Sequence, residues 1–133
     1  MEQVVKNASS FADKFISLGY KVISGGTDNH MFVLDTYNSI GLTGKEVETM
    51  LDEINITVNK NQIPNDELPP LKSSGVRIGT PAMTTKGWKT GDFERLAIII
   101  NEYLKDEDRL NKINQYKSAV SNLIEMVSIR EDL

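Results

Sequence analysis

With 133 residues, 39% of them apolar and 26% charged, the chain has the size and balance of one globular domain with a workable core. A net charge of −4 argues against a basic nucleic-acid surface, and the lack of cysteine rules out disulfides, thiolate chemistry and cysteine-held metals. The single histidine, His30, cannot build a multi-histidine metal centre, so no metal site is expected and His30 is read as structural.

Val4, Ala8, Phe11, Phe15 and Leu18 alternate steps of four and three, which predicts an amphipathic helix over residues 2–18 with Gly19 as its C-terminal cap. Tyr20 to Ser24 and Met31 to Asp35 read as strands joined by the turn-forming residues Ser24-Gly25-Gly26-Thr27-Asp28-Asn29. The second strand is apolar on both faces and is expected between two layers. Thr43 and Glu46 spell a capping box, flanked by Leu42 and Val47 at the positions of a hydrophobic staple. Val47, Met50, Leu51 and Ile54 form the helix face that follows, so Thr43 and Glu46 receive a structural role. Asn55 closes that helix, and Ile56-Thr57-Val58 reads as a short strand.

Residues 59–74 read as a long polar loop, a length that in a compact domain signals function or disorder. Gly75–Gly79 is a strand and Thr84-Thr85-Lys86-Gly87-Trp88 a turn. The next helix is expected to be capped by Thr90, with Asp92 in its first turn and Phe93, Leu96, Ala97, Ile100 and Leu104 on one face, widened by Ile98 and Ile99. A last helix from about Asp108 carries Leu110, Ile113, Val120, Ile124 and Val127. This order of elements fits an α/β (α+β) two-layer sandwich, a small, mainly antiparallel sheet with helices packed on it. No apolar run nears the ~20 residues of a membrane span. Met1-Glu2-Gln3 runs straight into an amphipathic pattern and is uninformative as an address, while the lack of cysteine fits a cytoplasmic protein, which is the expectation.

The run Ser73-Ser74-Gly75-Val76-Arg77-Ile78-Gly79 sets one arginine in an apolar strand. Flanked by Val76 and Ile78, Arg77 is read as inward-pointing. A guanidinium held there needs an anion, and its planar fork matches a carboxylate or phosphate in bidentate fashion. Residue chemistry alone leaves two partners open: an Asp or Glu elsewhere in the chain, or a bound ligand.

Four segments stand in order: Ser24-Gly25-Gly26-Thr27-Asp28-Asn29-His30, Leu42-Thr43-Gly44-Lys45-Glu46, Ile56-Thr57-Val58-Asn59-Lys60-Asn61 and Ser74-Gly75-Val76-Arg77-Ile78-Gly79-Thr80-Pro81-Ala82. Together they resemble the C-terminal domain of the serine hydroxymethyltransferases, pyridoxal 5′-phosphate enzymes of the aspartate aminotransferase fold type. The similarity runs from near the N-terminus to about Lys105 and weakens through the last helix. It implies one small domain over 1–133, with 1–19 a connecting helix, 20–105 the core carrying the ligand segments and 106–133 a terminal helix.

The resemblance implies that Arg77 binds the carboxylate of serine or glycine. It also implies that Asn61 and the turn Pro69-Pro70-Leu71 lie beside the pterin ring of tetrahydrofolate. An amide offers both a donor and an acceptor, as pterin recognition requires. The family has Ser-Pro-Phe where this chain has Pro69-Pro70-Leu71, so backbone contacts there would survive and an aromatic contact would not. Thr84-Thr85-Lys86-Gly87 matches the family's T-[TR]-[KR]-G rather than its T-T-H-K Schiff-base motif, and Lys86 is expected to be a surface lysine.

In the family the Schiff-base lysine and the other pyridoxal phosphate ligands belong to a large domain. The resemblance therefore implies no catalytic residue here and an isolated chain that is inactive. Its implied partners are the large domain of the same enzyme, serine or glycine, tetrahydrofolate, and further copies in a homodimer or tetramer. Two other readings stand beside it: a free-standing, non-catalytic module that binds a small carboxylate or regulates, and a chain that folds only with its partner domain. Phe11, Phe15 and Leu18 favour the domain reading if they mark a helix face that lacks its usual cover.

Overall fold

The computed structural model describes residues 2–23, 31–79 and 90–131. The expectations for residues 24–30, 80–82 and 84–88, His30 and Lys86 included, lie outside that range. In chain order the elements are α1 (Glu2–Ser17), β1 (Lys21–Ile23), β2 (Met31–Asp35), α2 (Thr36–Ile40), α3 (Gly44–Asp52), β3 (Asn59–Asn61), β4 (Gly75–Gly79), α4 (Thr90–Lys105), a 3-10 turn (Arg109–Asn111) and α5 (Ile113–Glu131). The strands pair antiparallel in the order β1-β2-β4-β3. Helices α1 and α3 pack on the sheet, α4 packs against α1 and α3, and α5 packs on α4, which is the expected two-layer α+β architecture. Among the described residues no helix is long and apolar enough to cross a membrane.

The helix ends follow from single residues. Gly19, at φ 99°, donates to Ile16 O while Tyr20 N reaches Phe15 O at 3.0 Å, and the Phe15 and Tyr20 rings meet edge to face at 5.2 Å. That is a Schellman closure with its hydrophobic contact. Asn55, at φ 68°, ends the turn after α3 in the same way, with Ile56 N donating to Leu51 O at 2.9 Å. At the start of α3, Glu46 N donates to Thr43 Oγ1 and Thr43 N to Glu46 Oε1, the capping box read from the sequence.

The core is aromatic at its centre. Phe11 is fully buried, with the rings of Phe15, Phe32 and Phe93 at 5.3, 5.5 and 5.3 Å. Val47, Met50, Leu51 and Ile54 from α3 join Val76 and Ile78 from β4 in the same cluster, and Phe93, Leu96, Ala97, Ile100 and Leu104 supply the α4 face. Both sheet edges are blocked by side chains: Lys21 N donates to Ser39 Oγ at 2.8 Å and Lys60 N to Glu48 Oε2 at 2.9 Å. Such capping removes donors that a foreign strand would use.

Several expectations are corrected. Ile56, Thr57 and Val58 are not a strand: Ile56 and Val58 anchor in the core, and pairing with β4 begins at Asn59. Hence residues 59–61 are an edge strand, and the loop starts only at 62. On β2, Phe32 and Leu34 lie under the helices while Val33 on the other face is half-buried, so cover is one-sided. Phe11 and Phe15 fill this chain's own core and mark no uncovered face. Thr90 is the first helical residue of α4. In α5, Val120 is buried and Ile113 packs on the core as expected, but Leu123 rather than Ile124 takes the next core position, and Leu110 lies exposed in the 3-10 turn before the helix.

Candidate functional site

The register fixes what shares the open face of the sheet. Ile23, Val33, Arg77 and Asn59 form one row across the strands, and Lys21, Asp35, Gly75 and Asn61 the next. Val76 and Ile78 are almost wholly buried under the helices, so alternation turns Arg77 to the opposite face, where it is exposed. The inward orientation expected from its apolar neighbours is thus reversed, because those neighbours occupy the core side. Among the described residues Arg77 makes no hydrogen bond and no ion pair. Asn59 sits directly across from it and Asn61 one step along the same edge. Asn61 donates through Nδ2 to Gln62 O at 2.8 Å.

The backbone leading into β4 is held by two helix N-termini. Lys45 N donates to Lys72 O at 2.9 Å and Gly44 N to Ser73 O at 2.8 Å. Tyr37 N and Thr36 Oγ1 both donate to Ser74 O, at 2.9 and 3.2 Å. Three successive loop carbonyls thereby satisfy amide donors that helix starts leave open. Gly44 makes this possible: a Cβ there would overlap Gly75 O. The sequence signal was the Gly of Leu42-Thr43-Gly44-Lys45-Glu46, a poor helix former at a helix start, and sequence reasoning passed over it.

The turn at 69–71 is closed by Lys72 N and Ser73 N, both donating to Pro69 O at 2.9 Å, and by Ser73 Oγ donating to Pro70 O. Ser73 pays for that closure with a left-handed backbone at φ 55°. Pro69 and Pro70 are exposed, and Leu71 is 79% exposed. Gln62 Nε2 donates to Leu68 O at 3.2 Å, so the neighbours of Asn61 and of Pro69 are tied together.

Asp66 was missed altogether. Its carboxylate accepts from Leu68 N (2.8 Å), Ser74 Oγ (2.6 Å), Ser74 N (2.9 Å) and Ile63 N (3.2 Å). Burial alone would raise its pKa, but the Ser74 hydroxyl and the three backbone donors outweigh that and hold it below the usual aspartate value. Asn65-Asp66 after Pro64 is a turn signal, which was the available hint.

The described open face does not suit pyridoxal phosphate. A pyridinium nitrogen needs a carboxylate, yet Asp35 is fully buried and accepts from Asn38 N at 3.1 Å and Asn38 Nδ2 at 2.8 Å. Arg77 and two asparagines are a set for anion and amide recognition rather than for holding the cofactor. Among the described residues no cluster of His, Cys, Asp and Glu could hold a metal ion. Residues 1–100 match the family model described as serine hydroxymethyltransferase.

Proposed function

Since that match spans 100 of 133 residues, the chain belongs to the serine hydroxymethyltransferase family, and from this membership we propose that it acts as the C-terminal domain of an enzyme moving a one-carbon unit between serine and tetrahydrofolate. Arg77 takes the carboxylate of serine or glycine in its guanidinium fork and fixes the orientation of the amino acid. The observation that carries this reading is the exposed Arg77 side chain, which is without a partner among the described residues and stands on a strand paired on both sides. A structural ion pair would have consumed that charge; an exposed fork on a rigid strand is free to take a ligand.

Asn61, on the same face, offers its amide to the pterin ring of tetrahydrofolate, with the 69–71 turn as the neighbouring surface. The lysine and the phosphate ligands of pyridoxal phosphate are assigned to a large partner domain, and the isolated chain is inactive. The intact enzyme works as a homodimer or tetramer in the cytoplasm, which the cysteine-free composition suits.

Arg77→Lys in the intact enzyme is expected to raise the serine KM about 10- to 100-fold, because an ammonium cannot reproduce the fork. A serine KM within about twofold of wild type would contradict the assignment. One observation favours the free-standing module instead: Phe11 and Phe15 are fully buried within the chain's own core. A native species of 14.9 kDa in the source cells would support that module; a much larger one supports the domain.

A further inference from the structure

Asp66 belongs to neither segment assigned to a ligand, yet its carboxylate joins them. Toward Asn61 it holds Ile63 N, and toward Pro69 it holds Leu68 N. Across the loop it holds both the amide and the hydroxyl of Ser74, the residue before β4, on which Arg77 stands. Ser74 in turn is fixed through its carbonyl to Tyr37 N and Thr36 Oγ1. Gln62 Nε2 adds a second tie to Leu68 O. A loop of this length without regular structure would ordinarily be mobile; here one charged group converts it into a closed unit.

We propose that Asp66 is a positioning residue that holds the Asn61 and 69–71 segments in fixed relation to Arg77, so that one rigid unit binds both serine and tetrahydrofolate; this rests on the ligand roles given to Arg77 and Asn61 above. The chemistry calls for a carboxylate. Four donors converge on it, and an amide in its place has one acceptor oxygen and turns an NH2 group toward donors. Asp66→Asn therefore breaks the bonds at one oxygen while nearly preserving shape. Ser74→Ala removes only the hydroxyl bond.

The test compares Asp66→Asn, Ser74→Ala and Arg77→Lys in the intact enzyme, with KM for serine, KM for tetrahydrofolate and kcat measured separately. Asp66→Asn is expected to raise both KM values about 10-fold and to leave kcat within about twofold. Simple destabilisation would behave differently, lowering kcat through the active fraction and leaving KM alone. Ser74→Ala should shift both KM values in the same direction by a smaller factor, and Arg77→Lys should raise the serine KM only. If Arg77→Lys leaves the serine KM unchanged, the ligand assignment itself fails. If Arg77→Lys acts as expected while Asp66→Asn alters neither KM, or only one, the role of Asp66 is overturned and the assignment stands. Should Asp66→Asn not fold, Ser74→Ala decides: parallel rises in both KM values support the proposal, and any other pattern refutes it.

Discussion

Replacing Gly44 by Ala tests how the strand carrying Arg77 is held. The new methyl would overlap Gly75 O and lie 3.1 Å from Gly75 C and 3.3 Å from Lys60 Cβ. These are backbone atoms and a Cβ, which cannot swing away, so the first turn of α3 must retreat by on the order of 1 Å. That retreat stretches Gly44 N to Ser73 O and Lys45 N to Lys72 O beyond bonding range from 2.8 and 2.9 Å. Two such bonds contribute ~1–3 kcal/mol, the same scale as ordinary overpacking. Set against the middle of that range, the ~0.5–1 kcal/mol that Ala gains back as the better helix former leaves a net loss of about 1–1.5 kcal/mol. Gly91, near the start of α4, has nothing within 4 Å of its would-be Cβ and serves as the control. There the same substitution should stabilise by up to ~1 kcal/mol. Thermal unfolding followed by circular dichroism should place Gly44→Ala below wild type by roughly 5–10 °C and Gly91→Ala at or above it. Equal shifts for the two variants, or a Gly44→Ala variant as stable as wild type, would refute the close-approach argument.

Truncating the central aromatic, Phe11→Ala, should cost ~3–5 kcal/mol in urea unfolding, because its ring is fully buried among three others. Acid should destabilise the fold in a defined window. Asp66 is held below 3.8 by the bonds that outweigh its burial, and Asp106 by the Tyr116 hydroxyl first and then Asp108 N. Folded values below unfolded ones mean stability that is present above pH 3.8 and lost as pH falls through the lowered values. At the alkaline end the sign is opposite. Burial pushes Tyr20 up to about 12, and burial with the Asp106 carboxylate does the same to Tyr116, both from 10.0. Their contribution is present below pH 10.0 and lost as pH rises toward about 12. Urea midpoints across the pH range should therefore fall at both ends; a midpoint that holds steady below pH 3.8 would remove Asp66 and Asp106 from the fold's stability.

What the sequence revealed depended on how local the cause was. The capping box at Thr43 and Glu46, the closures at Gly19 and Asn55, and the bounds of β2 and β4 all rest on residues a few positions apart, and all were legible. Arg77 was found, but its direction was not. Val76-Arg77-Ile78 says only that one side differs from the other, and which side carries helices is a tertiary fact. The edge strand Asn59–Asn61 was hidden because its exposed face carries no apolar pattern, while Ile56 and Val58 imitate a strand by anchoring in the core. Asp66 and Gly44 act through backbone atoms distant in sequence, at Ser74 and Gly75, which no local pattern encodes. The weak amphipathicity of α5 let Ile124 stand in for Leu123.

The most direct test of the role given to Arg77 uses a ligand that lacks the group it is said to bind. Serine and ethanolamine, which is serine without its carboxylate, would each be titrated into the intact enzyme and into its Arg77→Ala variant. Removing Arg77 should weaken serine at least about 10-fold and leave ethanolamine as it was, since only serine has a carboxylate to lose. An equal loss for both ligands, or none for serine, would mean that Arg77 does not hold the substrate carboxylate.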